Sequence, residues 1–406
     1  MPDKHADGKR SIGMDFIAFY RAGVLVREGD ADRLYSLQAT QDFDRSLVKR
    51  EDLALGNTYG LFLNPPFFAW IFVPLVGLGY GKALLAWEAI NLVCFIASTC
   101  LLCRIISARG WKDWALAPGL MIVSLPFIQA VGHGQNTFLS LLLMSSVVIA
   151  WRNGWAFTAG FAAGILFFKP QLAAVVLAAM GVTLGWRTFA GASVSLGMIL
   201  LANLVMLPGT LGEYLHRLSP NVQVMLSTHS YLWARHTTIN GFWHVLLNPE
   251  NAPTASILAM VCSVPLAAGL LLCVWRQRQA ISRDRTIAAV IMTAPLIMPY
   301  YLDYDLLLLA IPAVLLAKEM IQREPGEILN RRDRWLIRLW IVYFAELLIN
   351  PGLTNAIGIN IGVLLLTSIS VLHIARAVSA SPAAVVDDES EFESLRSSLH
   401  WPAAAA

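Results

Sequence analysis

Charged side chains are scarce in this chain of 406 residues, because Asp, Glu, Lys and Arg together make up only 14 % of it. Soluble domains carry about 25 % charged residues, so a water-facing surface cannot be covered with this composition. The apolar fraction is 57 % and the mean hydropathy is +0.59. The scarcity of charge therefore excludes a soluble globular protein and indicates lipid as the surrounding solvent.

Alternation of apolar and polar residues with period two is missing from the apolar segments, which argues against a transmembrane β-barrel. The apolar runs are continuous, as in 83–103 and 256–275. Because backbone polar groups in lipid must be bonded within the protein, such runs predict helices. The predicted fold is all-α: a polytopic integral membrane bundle of about 11 transmembrane helices, with amphipathic or re-entrant helices on the outer face. We place the spans at 83–103, 114–132, 137–151, 156–168, 171–186, 189–207, 254–275, 287–302, 306–317, 335–349 and 356–375.

Motifs of soluble enzymes are also missing. The sequence has no phosphate-cradling loop, no dinucleotide fingerprint and no zinc-ligand spacing, so we expect neither a metal nor an organic cofactor. The five cysteines all lie inside apolar runs, and Cys100 and Cys103 are read as small apolar residues of a membrane helix. A net charge of +3 gives no reason to expect nucleic acid.

The chain divides into three parts. Residues 1–82 form a polar outer-face segment that ends in a Pro-interrupted apolar stretch, read as an interfacial or re-entrant helix. Residues 83–378 form the transmembrane bundle, with a large outer loop at 208–253. Residues 379–406 are rich in Ser, Ala and acidic residues and are predicted to be a disordered cytoplasmic tail.

Basic residues are concentrated in alternate loops, which the positive-inside rule assigns to the cytoplasm. This basic set is Arg104, Arg109, Lys112, Arg152, Arg187, Arg276, Arg278, Arg283, Arg285, Lys318, Arg323, Arg331, Arg332 and Arg334. The opposite loops at 132–136, 302–305 and 350–355 contain almost no basic residues. If residues 62–80 crossed the membrane, every assignment would invert, so the charge pattern argues against that crossing.

The unusual polar residues gather on the outer side of this topology. They are Asp15, His133, Gln135, Asn136, Asp303, Asp305, the histidines of loop 208–253, and Lys169 in the break before Pro170. Ionisable groups at membrane depth are functional candidates because they are expensive to bury. Each also has a structural interpretation: a solvated loop histidine, a lysine at a helix end, or an aspartate at the water interface.

The order of these residues resembles the GT-C superfamily of membrane glycosyltransferases, and within it glycosyltransferase family 87. The resemblance lies in Asp15-Phe16, Phe19-Tyr20, Leu34-Tyr35, Asn64-Pro65-Pro66-Phe67, Gly134-Gln135-Asn136, Phe168-Lys169-Pro170 and Pro299-Tyr300-Tyr301-x-Asp303-Tyr304-Asp305. Two features depart from the family pattern. Asn64 stands where the family often has Tyr, and no helix precedes Asp15, so we expect a further helix encoded upstream.

The resemblance implies an inverting hexosyltransferase, in most family members a mannosyltransferase. It would take the sugar from a polyprenyl phosphate and pass it to a lipid or glycan acceptor on the outer face of the plasma membrane. Asp15 occupies the position of the catalytic base. We expect the donor phosphate and sugar to contact Lys169, Gln135, Asn136, His133, Arg235 and His236. Tyr20, Tyr301, Asp303 and Asp305 are expected to hold the acceptor or to orient the cations.

Two other classes of function remain open from the sequence. A multi-pass transporter or lipid flippase would show repeated halves or matching broken helices, and the sequence has one conspicuous break, at Lys169-Pro170, and no repeat. A non-catalytic membrane scaffold would make the clustering of polar residues on one side a coincidence.

Overall fold

The computed structural model describes residues 13–51, 60–106, 110–227, 232–247, 251–277, 282–323 and 328–379. Every regular element within these ranges is helical, which confirms the predicted all-α fold. The predicted tail after Ser379 and the loop residue His229 lie outside the described residues.

The amino-terminal part is built from short helices around an aromatic core. Helix α1 (Phe16–Glu28) ends at Gly29, which adopts the left-handed conformation that suits glycine after a helix. Helix α2 (Leu37–Glu51) follows, then a 3-10 helix (Pro66–Ile71) and α3 (Val73–Val76). Prolines divide the apolar stretch at 62–80 into these two pieces, and neither is long enough to span the hydrocarbon core.

The rest of the chain forms the helical bundle. Its helices are α4 (Tyr80–Ile105), α5 (Trp111–Ile122), α6 (Leu125–His133), α7 (Thr137–Arg152), α8 (Ala156–Ile165), α9 (Pro170–Leu184), α10 (Arg187–Met206), α11 (Thr210–Ser227), α12 (Ile239–Leu247), α13 (Ala252–Gln277), α14 (Arg283–Ile297), α15 (Ala310–Ile321), α16 (Arg331–Leu347), α17 (Gly352–Ile357) and α18 (Ile361–Val378). The connections include 3-10 helices at Leu166–Phe168, Trp233–Arg235 and Asp303–Leu309.

Within the described ranges, four helices are long and apolar enough to cross a membrane. They are Tyr80–Ile105, Arg187–Met206, Ala252–Arg276 and Ile361–Val378, and shorter apolar segments cover Thr137–Arg152, Ala156–Phe168 and Pro170–Leu184. Helix α14 lies at the centre of the bundle, because its side chains are buried on all sides from Thr286 to Leu296. Two of the candidate spans, α13 and α18, pack directly against this enclosed helix.

Three predicted spans are wrong in their boundaries. The span expected at 356–375 is interrupted after Ile357, because α17 ends there with Gly358 in the left-handed conformation and α18 begins only at Ile361. In the other two, proline is the reason. The span expected at 114–132 is divided into α5 and α6, because Pro126 has no N–H to continue a helix and is accommodated only in the first turn of α6. The span expected at 287–302 ends at Ile297, because Met298 precedes Pro299 and takes an extended conformation with ψ of 148°.

Helices α8 and α10 pack with unusually close backbones. A Cβ added at Gly160 would lie 1.8 Å from the carbonyl oxygen of Thr188, and one added at Gly191 would lie 2.0 Å from that of Phe157. Small residues that let helix backbones meet are typical of association between membrane helices. This pair therefore packs in the manner expected of helices in lipid.

Ion pairs tie the helix ends together on the side of the bundle that carries the basic set. Arg152 of α7 contacts Asp284 of α14 at 2.5 Å, and Arg285 contacts Glu319 of α15 at 2.5 Å. Arg376 of α18 contacts Asp333 of α16 at 2.7 Å. These contacts link α7, α14, α15, α16 and α18 at one end, away from Asp15.

Candidate active site

Asp15 stands at the start of α1 and is held against the turn between α6 and α7. The backbone N–H of Gly13 donates to the carbonyl of Gly132 at 2.9 Å, and that of Asp15 donates to the carbonyl of His133 at 3.1 Å. Gly134 has a φ of +67°, and a Cβ there would lie 2.7 Å from the Cβ of Phe16. Only glycine combines this backbone conformation with so close an approach, so Gly134 sets the distance between α1 and the turn.

Helix α4 donates hydrogen bonds to this turn and to Gly13, just before α1. The indole N–H of Trp87 donates to the carbonyl of Gly134 at 3.0 Å, and the amide of Asn91 donates to the carbonyl of Gln135 at 3.1 Å. The hydroxyl of Tyr80 donates to the carbonyl of Gly13 at 2.8 Å. These buried donors fix the backbone that presents Gln135. Our sequence reasoning missed them, although positions 80, 87 and 91 recur at the spacing of one helix face.

The carboxylate of Asp15 has partners from this turn and remains partly accessible. Its Oδ2 accepts a hydrogen bond from Nε2 of Gln135 at 2.7 Å and lies 3.3 Å from Nδ1 of His133. The Asp15 side chain is 34 % exposed. Asp15 does not use its side chain to cap α1, so the carboxylate is directed to the polar residues of the turn.

Two ion pairs among the described residues contact the helices on either side of this turn, Arg235 through Gln129 of α6 and Asp305 through Thr137 of α7. Arg235 contacts Asp303 through two nitrogens, with Nε to Oδ2 at 3.0 Å and Nη2 to Oδ1 at 2.9 Å. Lys169 Nζ lies 2.5 Å from Oδ1 of Asp305, which also accepts from the hydroxyl of Thr137 at 2.8 Å. All four charged side chains are less than one-fifth exposed. Such pairs persist in a buried site when further hydrogen bonds satisfy their polar atoms.

Tyr304 packs against both Arg235 and His133. The guanidinium carbon of Arg235 lies 5.7 Å from the centre of its ring, and the imidazole of His133 lies 6.4 Å from the same ring. Burial is the largest single influence and acts to lower the pKa of Arg235, but the charge and hydrogen bonds of Asp303, together with smaller contributions from Asp15 and Tyr304, outweigh burial and raise it. Arg235 therefore stays positively charged next to the carboxylate of Asp15, whose charge also acts on it.

The interruption between α8 and α9 that carries Lys169 is contacted by the amino-terminal segment. Lys169 lies between the 3-10 helix Leu166–Phe168 and α9, with φ of −121° and ψ of 76°. The amide of Asn64 donates to the carbonyl of Phe168 at 3.0 Å, and the rings of Phe68 and Phe168 stack at 4.8 Å. Asn64, which departs from the Tyr of the family pattern, thus holds the residue directly before Lys169.

Comparison with known proteins decides the family. The pattern of glycosyltransferase family 87 matches residues 62–299, more than half of the chain. The chain belongs to glycosyltransferase family 87. The predicted resemblance is confirmed, and the protein is a membrane glycosyltransferase of all-α fold. No curated protein and no solved structure shows a significant match.

The matched segment divides the candidate residues of this family 87 glycosyltransferase. It contains His133, Gln135, Asn136, Lys169, Arg235 and His236, whereas Asp15, Tyr20, Tyr301, Asp303 and Asp305 lie outside it. The structure brings Asp15, His133 and Gln135 together, and it pairs Lys169 and Arg235 with the two aspartates of the second group. Contacts therefore cross from one group to the other throughout the site.

The remaining candidates of the glycosyltransferase have buried side chains with structural contacts. Tyr20 packs among aromatic rings, 5.4 Å from the ring of Tyr80. The hydroxyl of Tyr301 donates to the backbone carbonyl of Asp305 at 2.8 Å. Asn136 is buried at the start of α7.

His236 is completely enclosed in the structure. Its side chain is 0 % exposed, and its ring lies 5.1 Å from that of Tyr300. Burial, aided by the charge of Arg235, lowers the pKa of His236 to about 3, so the imidazole is neutral at physiological pH. The His236 side chain offers no surface to a donor here, and its backbone carbonyl accepts from Asn360 at 2.9 Å.

Among the described residues, no three His, Cys, Asp or Glu side chains come together as metal ligands would. The site instead offers one partly accessible carboxylate with two buried cations nearby. That arrangement suits removal of a proton at Asp15 and binding of an anion at Arg235 or Lys169.

Proposed function

We propose that the protein transfers a hexose, mannose, from a polyprenyl-phosphate donor to a lipid or glycan acceptor by an inverting single displacement at the outer face of the plasma membrane. The observation that carries the proposal is the placement of the Asp15 carboxylate against Gln135 and His133, with the Arg235 and Lys169 ion pairs held against the two helices that flank the same turn. Membership of glycosyltransferase family 87 supports the reaction class.

Asp15 is assigned as the general base. In a single displacement the acceptor hydroxyl must lose its proton as its oxygen bonds to the anomeric carbon of the sugar. Both polar contacts that described residues make with the Asp15 carboxylate fall on Oδ2, so Oδ1 is the oxygen presented to the acceptor. The hydrogen bond from Gln135 fixes the plane of the carboxylate and keeps it ready for this transfer.

Arg235 and Lys169 are assigned to the donor phosphate. Cleavage of the sugar–phosphate bond increases negative charge on the phosphate, and a fixed cation stabilises that charge. The contacts of Arg235 with Asp303 use Nε and Nη2, which leaves Nη1 for a phosphate oxygen. An ammonium group has three N–H donors, and the contact of Lys169 with Asp305 uses one of them. Asp303 and Asp305 then serve to orient the cations.

The assignment to the outer face rests on the charge asymmetry of the loops. The basic set belongs on the cytoplasmic side by the positive-inside rule. Helix α18 connects the two ends: Asn360, just before its start, contacts His236 near the site, and Arg376, in its last turn, joins the ion pairs at the basic end. The Asp15 site therefore lies at the end of the bundle opposite to the basic residues.

Membranes carrying the protein should transfer label from polyprenyl-phosphate-[14C]mannose to an endogenous lipid or glycan acceptor. Membranes without the chain serve as the control, and GDP-[14C]mannose in membranes lacking polyprenyl-phosphate-mannose synthase tests for a nucleotide-sugar donor. Transfer from the lipid-linked donor alone supports the proposal. Transfer from the nucleotide sugar, or movement of the labelled lipid across the bilayer with its sugar intact, would contradict it, the latter in favour of a flippase.

A further inference from the structure

A groove runs along the outside of the bundle between α16 and α18, at the end that carries the basic set. It has a volume of about 680 Å³, within the range of small-molecule sites. Arg331 and Arg332 line one end, next to Trp335, and the floor continues over Leu339, Val371 and Leu372. The groove therefore has a cationic mouth and an apolar length that ends at Thr367 and Ser368, whose hydroxyls donate to backbone carbonyls of α18.

The two arginines add to a surplus of positive charge at this end. The acidic side chains that the structure places here are already engaged: Asp284 with Arg152 and Lys318, Glu319 with Arg285 and Arg376, and Asp333 with Arg323 and Arg376. Arg332 donates to the hydroxyl of Ser379 at 2.6 Å, which places its guanidinium at the mouth of the groove without neutralising it. An anion is the complementary ligand.

The rest of the groove fits a hydrocarbon chain. Trp335 is 48 % exposed and Val371 is 50 % exposed, so large apolar side chains face outward along the groove. From Arg331 to Leu339 the axis of α16 advances roughly 12 Å, at about 1.5 Å per residue. Tryptophan near the charged end of such a helix is typical of the boundary between lipid headgroups and acyl chains.

We propose that this groove binds an anionic phospholipid of the surrounding bilayer, with its phosphate on Arg331 and Arg332 and one acyl chain along Leu339 and Val371. Basic pockets between membrane helices on the cytoplasmic side bind acidic headgroups in this way. The phosphate position in this groove is separate from the donor site, because α18 places Asn360 and its contact to His236 roughly 27 Å from the basic mouth of the groove and about 10 Å from Thr367, the groove residue of α18 nearest to Asn360. The inference requires a membrane-embedded chain and does not depend on the assigned reaction.

The test measures lipid binding directly by native mass spectrometry of the purified full-length protein in detergent. The probe is 1-palmitoyl-2-oleoyl-phosphatidylglycerol, compared with phosphatidylcholine that carries the same acyl chains. We expect the wild-type protein to prefer the anionic lipid. Arg331→Gln/Arg332→Gln should bind it roughly 30-fold more weakly, since each basic residue contributes about fivefold near an anionic lipid.

Two further variants make the result specific to the groove. Arg104→Gln/Arg187→Gln removes the same charge from two exposed arginines elsewhere in the basic set and should retain wild-type binding. Val371→Trp keeps both arginines but obstructs the groove, and it should also weaken binding of phosphatidylglycerol. Equal binding of the two lipids by the wild type, equal loss in both double variants, or unchanged binding in Val371→Trp would overturn the proposal.

Soluble glycerol 3-phosphate separates a lipid from a free phosphate as the ligand. If the acyl chain contributes, millimolar glycerol 3-phosphate should not displace bound phosphatidylglycerol. Displacement at that concentration would show that the arginines bind a phosphate alone, and the lipid assignment would fall.

Discussion

Removing one partner of the ion pair between Arg235 and Asp303 should strongly destabilise the protein, because the pair joins the loop before α12 to the 3-10 helix Asp303–Leu309 in a buried setting. The two side chains are 13 % and 10 % exposed, and Oδ1 of Asp303 also accepts from the backbone N–H of Tyr304 at 2.9 Å. Asp303→Asn retains the shape but leaves the charge of Arg235 without its partner. Breaking a buried pair on one side costs about 3–5 kcal/mol of the free energy of unfolding.

A double-mutant cycle separates this pairing from the general effect of substitution. Arg235→Gln/Asp303→Asn removes both charges, so it should recover about 1–3 kcal/mol relative to the sum of the single variants. The free energy of unfolding is measured by titrating sodium dodecyl sulfate into dodecyl maltoside micelles. The control is the exposed pair Arg33 and Asp30, whose side chains are 49 % and 47 % exposed. Solvent screening limits that pair to about 0.5 kcal/mol or less.

Activity distinguishes a structural role of Arg235 from a role in donor binding. If Arg235 contacts the donor phosphate, the double variant should regain stability yet use the polyprenyl-phosphate donor poorly. Additive single effects, or a loss below about 1 kcal/mol in Asp303→Asn, would refute the reasoning about burial and pairing. Normal donor use by the stable double variant would refute the assignment to the phosphate.

Three other changes test separate parts of the site. Lys169→Gln should raise the KM for the donor, whereas Lys169→Arg should retain part of the donor affinity because the positive charge persists. An unchanged KM for the donor in Lys169→Gln would show that Lys169 is only a helix-end residue. Gly134→Ala should destabilise the protein by about 1–3 kcal/mol in the same detergent titration. Gly132→Ala should not, because a Cβ at that position meets open space. Equal effects of the two substitutions would contradict the argument that Gly134 is required for close packing. In a cysteine-free background, cysteines at Gly132 and Gly212 should react with an impermeant thiol reagent added from outside, and one at Ile328 should not. The reverse labelling would place Asp15 in the cytoplasm.

The helices could largely be predicted from the sequence because continuous apolar runs leave little choice of structure in lipid. The run that became α4 illustrates this, since its predicted limits at 83–103 fall within Tyr80–Ile105. The division at Ser124 is signalled by Pro126, but the apolar run continues across it, so hydropathy alone predicts one uninterrupted span. Hydropathy alone also could not show that α14 is enclosed by other helices.

The site was predictable as a set of residues but not as a set of contacts. Gln135 and Asp15 were both candidates, yet 120 positions separate them in the chain, and no local pattern predicts their 2.7 Å hydrogen bond. The same holds for Arg235 and Asp303, which are 68 positions apart. Such contacts arise from tertiary packing, whereas a sequence pattern reports mainly on neighbours along a helix or turn.

Sugar transfer by Asp15→Asn tests the central claim most directly. The variant keeps the shape of the side chain and removes its basicity, and its initial rate with polyprenyl-phosphate-[14C]mannose is compared with wild type at equal amounts of folded protein. Asp30→Asn, at an exposed carboxylate of the same segment, is the matched control. The account predicts a rate lower by about 10²–10⁴-fold in Asp15→Asn and an unchanged rate in Asp30→Asn. A near-normal rate in folded Asp15→Asn would contradict it.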